Sequence, residues 1–169
     1  MYVCLMRHGK AEPYTAGCDD GARKLVDKGK KQAAAVAETA PIWWPAGKTV
    51  IWTSPYIRAR QTAEYMYQSI SCTEMHTHEA IASGNWDAVY RQILCPAAAN
   101  TICIVGHSPY LDQWASRWTG STLEFKTGSI ALFSYDPYAG AAGGGKLLLY
   151  LHPETAKQMY GNCKKEGFI

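Results

Sequence analysis

The sequence predicts a three-layer α/β/α domain with a mostly parallel central sheet and an antiparallel edge. Three observations carry that prediction. Short apolar, β-branched runs alternate with helical patterns, which is the mark of βαβ units joined in a parallel sheet. The last two apolar runs follow one another without a helix, which places a hairpin at one edge. The chain has 169 residues, enough for one domain at about 150 residues each and for burial of about 70% of its unfolded surface.

The elements follow in order. Tyr2–Met6 is a strand, and a loop from Gly9 to Asp20 follows it. Asp27–Ala40 is Ala-rich and helical, with Pro41 as its stop. Thr49–Thr53 is a β-branched strand. Ser54-Pro55 then opens a helix that runs to Gln68, with Ser54 as cap and proline at the first helical position. Cys72–Thr77 is a weaker strand, and Asn85–Leu94 is a helix ended by Pro96. Thr101–Val105 is a strand, and Ser108-Pro109 repeats the helix opening for a segment that reaches Trp118. Ser129–Tyr135 and Lys146–Leu151 are the last two strands. The Gly-rich stretch Ala139–Gly145 between them reads as a hairpin loop, because Leu147 after Lys146 breaks the order of a phosphate loop. Residues 1–152 form the domain, and residues 153–169 form its C-terminal tail, a short helix with a poorly ordered Lys-rich end. Trp43-Trp44 packs at the edge of the core, and Trp114 and Trp118 share one helix face.

Composition excludes several classes. Hydrophobic residues are 47% and charged residues 18% of the chain, which is not the composition of a disordered segment. The net charge of +3 favours no polyanion, so no nucleic-acid partner is expected. No apolar run approaches the length of about 18 needed to span a membrane. The apolar start is shorter than a secretory core of about 7–15 residues. None of Cys4, Cys18, Cys72, Cys95, Cys103 and Cys163 forms a C-x-x-C pair. Reduced thiols and a cytoplasmic protein are the expectation. Nothing in the sequence sets an oligomeric state.

In an open α/β sheet, ligands bind beyond the carboxyl ends of the strands. The residues there are Arg7, His8 and Gly9 after the first strand. Thr53, Ser54 and Pro55 follow the second, with Arg58 one turn on. Gly106, His107 and Ser108 follow the fourth. Two histidines and two arginines thus converge from three strands. Helix N-termini add free N–H groups, and arginine adds planar paired donors. Such a pocket suits a phosphate dianion.

These blocks resemble the histidine phosphatase (phosphoglycerate mutase-like) superfamily. Leu5-Met6-Arg7-His8-Gly9 is similar to its first signature. Ser54-Pro55-Tyr56-Ile57-Arg58-Ala59-Arg60-Gln61-Thr62 is similar to its second, and Gly106-His107-Ser108-Pro109 to its third. The short length and Asp20-Gly21-Ala22-Arg23-Lys24-Leu25 resemble the SixA-type phosphohistidine phosphatase branch. Lys24 and Val26 depart from that branch's proline and threonine, and Asp27 is placed to take over the helix cap. The resemblance implies a phosphoglycerate mutase-like fold and a metal-independent phosphatase with His8 as transiently phosphorylated nucleophile. It implies that Arg7, Arg58 and His107 hold the phosphoryl oxygens. Gly9, Arg23 and Ser108 are read as substrate-binding. Glu79, in Glu79-x-x-x-x-Gly84-x-Trp86, is the candidate proton donor.

The physical chemistry agrees with those roles. Nearby guanidinium groups keep His8 neutral, as a nucleophile requires. Phosphoryl transfer needs mainly positioning and fixed positive charge, so no cofactor and no metal are expected. His76-Thr77-His78 reads as a surface pair. The substrate expectation is phosphohistidine on a protein, because the chain leaves little length for a lid. A small phosphate ester is the alternative, and a non-catalytic phosphate-binding module is the alternative from a different class.

Overall fold

The computed structural model describes residues 1–95, 99–140 and 143–165. Along the chain lie β1 (Tyr2–Arg7), α1 (Asp27–Trp43), β2 (Thr49–Thr53), α2 (Ile57–Ser69), β3 (Cys72–Thr77), α3 (Glu79–Ser83) and α4 (Trp86–Val89). Then come β4 (Thr101–Gly106), α5 (Tyr110–Thr119), β5 (Ile130–Tyr135), β6 (Gly145–Leu151) and α6 (Pro153–Lys165). The strands form one sheet in the order β3-β2-β4-β1-β5-β6. The first four are parallel, while β5 runs antiparallel to both β1 and β6.

The layers follow from side-chain alternation along the strands. Val3 and Leu5 of β1 join Ile102 and Ile104 of β4 on one face, under Ile81, Trp86, Leu111 and Trp114 of α3, α4 and α5. Cys4 and Met6 join Cys103 and Val105 on the other face, under Val36, Ala40, Ala59, Met66 and Ala156 of α1, α2 and α6. Both faces are covered, which is why the central strands read as unbroken apolar runs. Small alanines let α1 and α2 lie close on their face. Three tryptophans fill the other: Trp86 lies 5.5 Å from Trp114 and 5.4 Å from Trp118 between ring centres. The fold is the predicted α/β/α arrangement with its antiparallel edge. Among the described residues, no helix is long and apolar enough to cross a membrane.

Several local expectations are corrected. Pro41 lies inside α1, which ends only at Trp43. A proline so near the C-terminus removes one helical donor, and only Ile42 and Trp43 follow it in the helix. Asp27 does not cap α1: Val26 is the N-cap residue without a side-chain bond, and Asp27 pairs with Lys30 instead. Ser54 and Ser108 do not cap helices, because α2 and α5 start at Ile57 and Tyr110. Both hydroxyls are engaged elsewhere. The predicted helix Asn85–Leu94 is present as α4 followed by a π-helical turn over Tyr90–Leu94, and an unpredicted short helix, α3, precedes it. Gly84 (φ 71°) breaks α3, and the Asn85 side chain caps α4 through the Ala88 N–H.

Other expectations fall in place. Trp43 and Trp44 pack against the second core face, with Trp44 Nε1 donating to Thr49 Oγ1 at 3.0 Å. His76 pairs with exposed Glu74, and His78 Nδ1 caps α3 by accepting the Ala80 N–H. The predicted hairpin connection joins β5 to β6, with residues 141–142 outside the described residues. Pro96 and residues 166–169 also lie outside them, whereas the lysines expected in a poorly ordered end belong to α6.

Candidate active site

The register of the parallel strands brings the site together. Arg7 lies beside Gly106, and Thr53 beside Val105, so β1, β2 and β4 end at one level. The ladder then continues one residue into each loop: the His8 N–H donates to Gly106 O and the Ser54 N–H to Val105 O. His8, Ser54 and His107 therefore stand side by side. His8 and His107 open onto a cavity of about 670 Å³ that Arg7, Arg23, Arg58, Asp20, Ser108 and Tyr14 also line, with Ser54 buried behind them. That volume lies within the range of small-ligand clefts.

His8 is held in one tautomer. Its Nδ1 lies 2.7 Å from the Gly9 carbonyl. A carbonyl only accepts, so Nδ1 carries the proton and Nε2 carries the lone pair. Arg58 Nε donates to that Nε2 at 3.2 Å. Burial pushes the His8 pKa down to about 4, opposed by the Gly9 hydrogen bond and reinforced by Arg58, Arg7 and Arg23. The imidazole is thus neutral near pH 7, with its lone pair facing a guanidinium.

His107 stands 5.1 Å from His8 between ring centres. Burial, then His8 and Arg58, push its pKa down to about 3. Its Nε2 lies 2.8 Å from Ser54 Oγ, and its Nδ1 is buried without a protein partner among the described residues. Arg7 donates through Nη1 to Phe125 O at 2.6 Å, while its Nε is buried without a partner among the described residues. Ser108 Oγ reaches the same Phe125 carbonyl at 3.4 Å, and the Ser108–Pro109 peptide is cis.

Arg58 is only 4% exposed. A buried guanidinium needs a partner, and Asp20 supplies it. Arg58 Nη2 donates to Asp20 Oδ2 at 2.8 Å, and Nη1 donates to Asp20 O at 2.6 Å. Arg23 donates through Nε to Asp20 Oδ1 at 2.8 Å. Burial alone raises the Asp20 carboxyl pKa, but the hydrogen bonds from Arg58 and Arg23 outweigh it and hold the group below the ordinary carboxylate range. The Tyr56 ring lies 4.8 Å below the Arg58 guanidinium. Asp20 is thus a site residue that the sequence reading passed over. The Asp20-x-x-Arg23 spacing is the signal that points to it, since three residues apart the two charges meet.

Not every candidate joins the cavity. Arg7, His8, Arg23, Arg58, His107 and Ser108 do. Gly9 does not line it: its N–H donates to Thr62 Oγ1 at 3.1 Å and its carbonyl serves His8. Its bare Cα lets the loop pass against the Gly29 carbonyl of α1. Glu79 is exposed in the first turn of α3 and stands outside the lining, to which that helix contributes Ala82. The helix hangs from the edge strand β3, with β2 and β4 between it and β1.

The model of the Histidine phosphatase superfamily (branch 1) matches residues 3–93 of this chain. An uncharacterized protein of Picosynechococcus sp. is 28% identical over 149 residues, which are 77% of this chain and 82% of that protein. The solved structure of the protein histidine phosphatase SixA complexed with tungstate superposes with a TM-score of 0.75 at 22% identity, over 90% of this chain and 97% of that one. A phosphoserine phosphatase of Entamoeba histolytica, in complex with 3-phosphoglyceric acid, superposes with a TM-score of 0.57 at 18% identity. That match covers 88% of this chain and 95% of the other.

Proposed function

This chain belongs to the histidine phosphatase superfamily and is a hydrolase of the phosphatase class, and from that premise we propose that it dephosphorylates phosphohistidine on a protein through a phosphorylated His8. The carrying observation is the His8 geometry: Nδ1–H is tied to Gly9 O, and Nε2 presents its lone pair beside Arg58.

In the proposed reaction the substrate's phosphoryl group enters between His8, Arg7, Arg58 and His107. Its oxygens take donors on Arg7, Arg58 and His107. His8 Nε2 attacks phosphorus, and the P–N bond to the substrate imidazole breaks. The leaving imidazole takes a proton, from the solvent that reaches an open cavity. Water then attacks phosphorus on His8, the second P–N bond breaks, and inorganic phosphate leaves. Fixed guanidinium and imidazole donors stabilise the charge on the transferring group. Asp20 keeps Arg58 in place before substrate arrives.

A phosphohistidine leaving group needs little help from an enzymic acid, whereas an ester needs more. The position of Glu79 outside the lining therefore favours phosphohistidine. A small phosphate ester is the second reading, favoured by a cavity volume well beyond one phosphoryl group. Substrate profiling tests both. The panel holds a phosphohistidine protein, free phosphohistidine, sugar phosphates and a chromogenic ester, each with wild type and His8→Ala. The expected result is turnover by wild type, highest on the phosphohistidine protein, with loss of turnover and of phosphoryl trapping in His8→Ala. Turnover by His8→Ala near the wild-type rate would overturn the nucleophile, and no turnover of any compound would leave a binding module.

A further inference from the structure

We propose that Ser54 is a positioning residue: its hydroxyl sets the ring tautomer of His107, so that His107 Nδ1–H is the donor offered to a phosphoryl oxygen. The inference rests on reading the cavity as a phosphoryl site, and its first test does not depend on turnover.

A neutral imidazole carries one N–H, and the hydrogen bond made by one nitrogen decides the state of the other. Ser54 is fully buried. Its Oγ accepts the Tyr56 N–H at 3.3 Å and lies 2.8 Å from His107 Nε2. Two arrangements are possible. With the proton on Nε2, the ring donates to Ser54 Oγ. The serine proton then has no acceptor among the described residues, and Nδ1 is a buried lone pair without a donor. With the proton on Nδ1, the Ser54 hydroxyl donates to Nε2 while its oxygen keeps the Tyr56 N–H. Only Nδ1–H is then unmet. Buried polar groups are nearly always paired, so the second arrangement is preferred by one group.

The group it leaves unmet is also informative. Nδ1–H is a donor on a ring that lines the cavity with His8, Arg7 and Arg58. Arg7 Nε is a second buried donor without a partner among the described residues. Two orphaned donors on side chains that line one cationic cavity fit an incoming ligand made of acceptors. The other tautomer would leave a lone pair, not a donor, at Nδ1.

The test is nuclear magnetic resonance on the full chain with isotope-labelled histidine near neutral pH. His107 is assigned by the signals lost in His107→Asn. Nδ1 couples at two bonds to Hε1 alone, while Nε2 couples to Hε1 and Hδ2, so the protonated nitrogen is read directly. Wild type is expected to show Nδ1–H. Ser54→Ala should populate the Nε2–H form and lower kcat about tenfold, a change of about 1.4 kcal/mol and within reach of one hydrogen bond. Ser54→Thr, which keeps the hydroxyl, should restore Nδ1–H and most of kcat. Nε2–H in wild type overturns the proposal without any variant. So does a Ser54→Ala protein that keeps Nδ1–H, whatever its kcat. A tautomer change in Ser54→Ala without turnover of any substrate by wild type would sink the phosphatase reading and leave the tautomer assignment standing.

Discussion

Lowering the pH from about 7.5 to about 5.5 should destabilise this protein by nearly 3 kcal/mol, through two buried histidines. His8 and His107 have folded-state pKa values near 4 and 3, against about 6.5 for the unfolded chain. Between those limits the unfolded chain binds protons that the folded chain refuses. The stabilisation is complete above the unfolded value and is lost as pH falls toward the folded ones. One unit below the unfolded value, each histidine contributes a loss of about 1.4 kcal/mol, whatever its exact folded value. Solvent reaches part of His8, so its share is at most that figure. The sum is a large part of a typical stability of about 5–15 kcal/mol. Carboxylates ordinarily titrate lower, so the window isolates the histidines. The assay is urea unfolding at both pH values, with the midpoint and slope giving the free energy. His107→Asn should halve the pH-dependent loss, and the double variant with His8→Asn should remove most of it. Equal wild-type stability at the two pH values, or a full loss retained in the double variant, would refute the assignment of buried neutral histidines.

Three further outcomes follow from the site. Asp20→Asn removes the charge that pairs Arg58 and Arg23; it should lower stability by about 1–2 kcal/mol, read by urea unfolding, with an unchanged midpoint counting against the ion-pair role. Gly9→Ala places a methyl group on the Gly29 carbonyl oxygen, which is backbone and cannot swing aside; it should cost about 2–3 kcal/mol and lower kcat by displacing His8, whereas wild-type unfolding and kinetics would contradict the close approach. Glu79→Gln should leave kcat within about threefold of wild type on phosphohistidine and on an ester, a factor of less than about 1 kcal/mol; a loss above tenfold confined to esters would restore Glu79 as proton donor.

The cluster of Arg7, His8, Arg58 and His107 was legible because strand ends in an open sheet are where ligands gather. Three strand ends could be found from apolar runs alone. Asp20 was harder to read. It sits in a loop of Gly, Asp and Cys residues with no period, and its partner Arg58 is 38 positions away. Glu79 sits in a family-like spacing, but spacing along one strand end does not say how far an edge strand stands from the centre. The serine hydroxyls misled for a related reason. Ser-Pro is a sound local signal for a helix start, yet α2 begins only at Ile57, and the Ser54 hydroxyl meets the Tyr56 N–H and a buried histidine from another strand instead.

Periodicity and local chemistry alone determined the α/β alternation, the hairpin edge and the residues that follow each strand. They are short-range properties, set by which neighbours along the chain are apolar, branched or helix-breaking. The order of the strands, the level at which β1, β2 and β4 end, and the partner of each buried charge were decided only by the tertiary structure. Those depend on contacts between residues far apart in sequence. A buried guanidinium or imidazole takes whichever donor or acceptor the packed fold brings within about 3 Å.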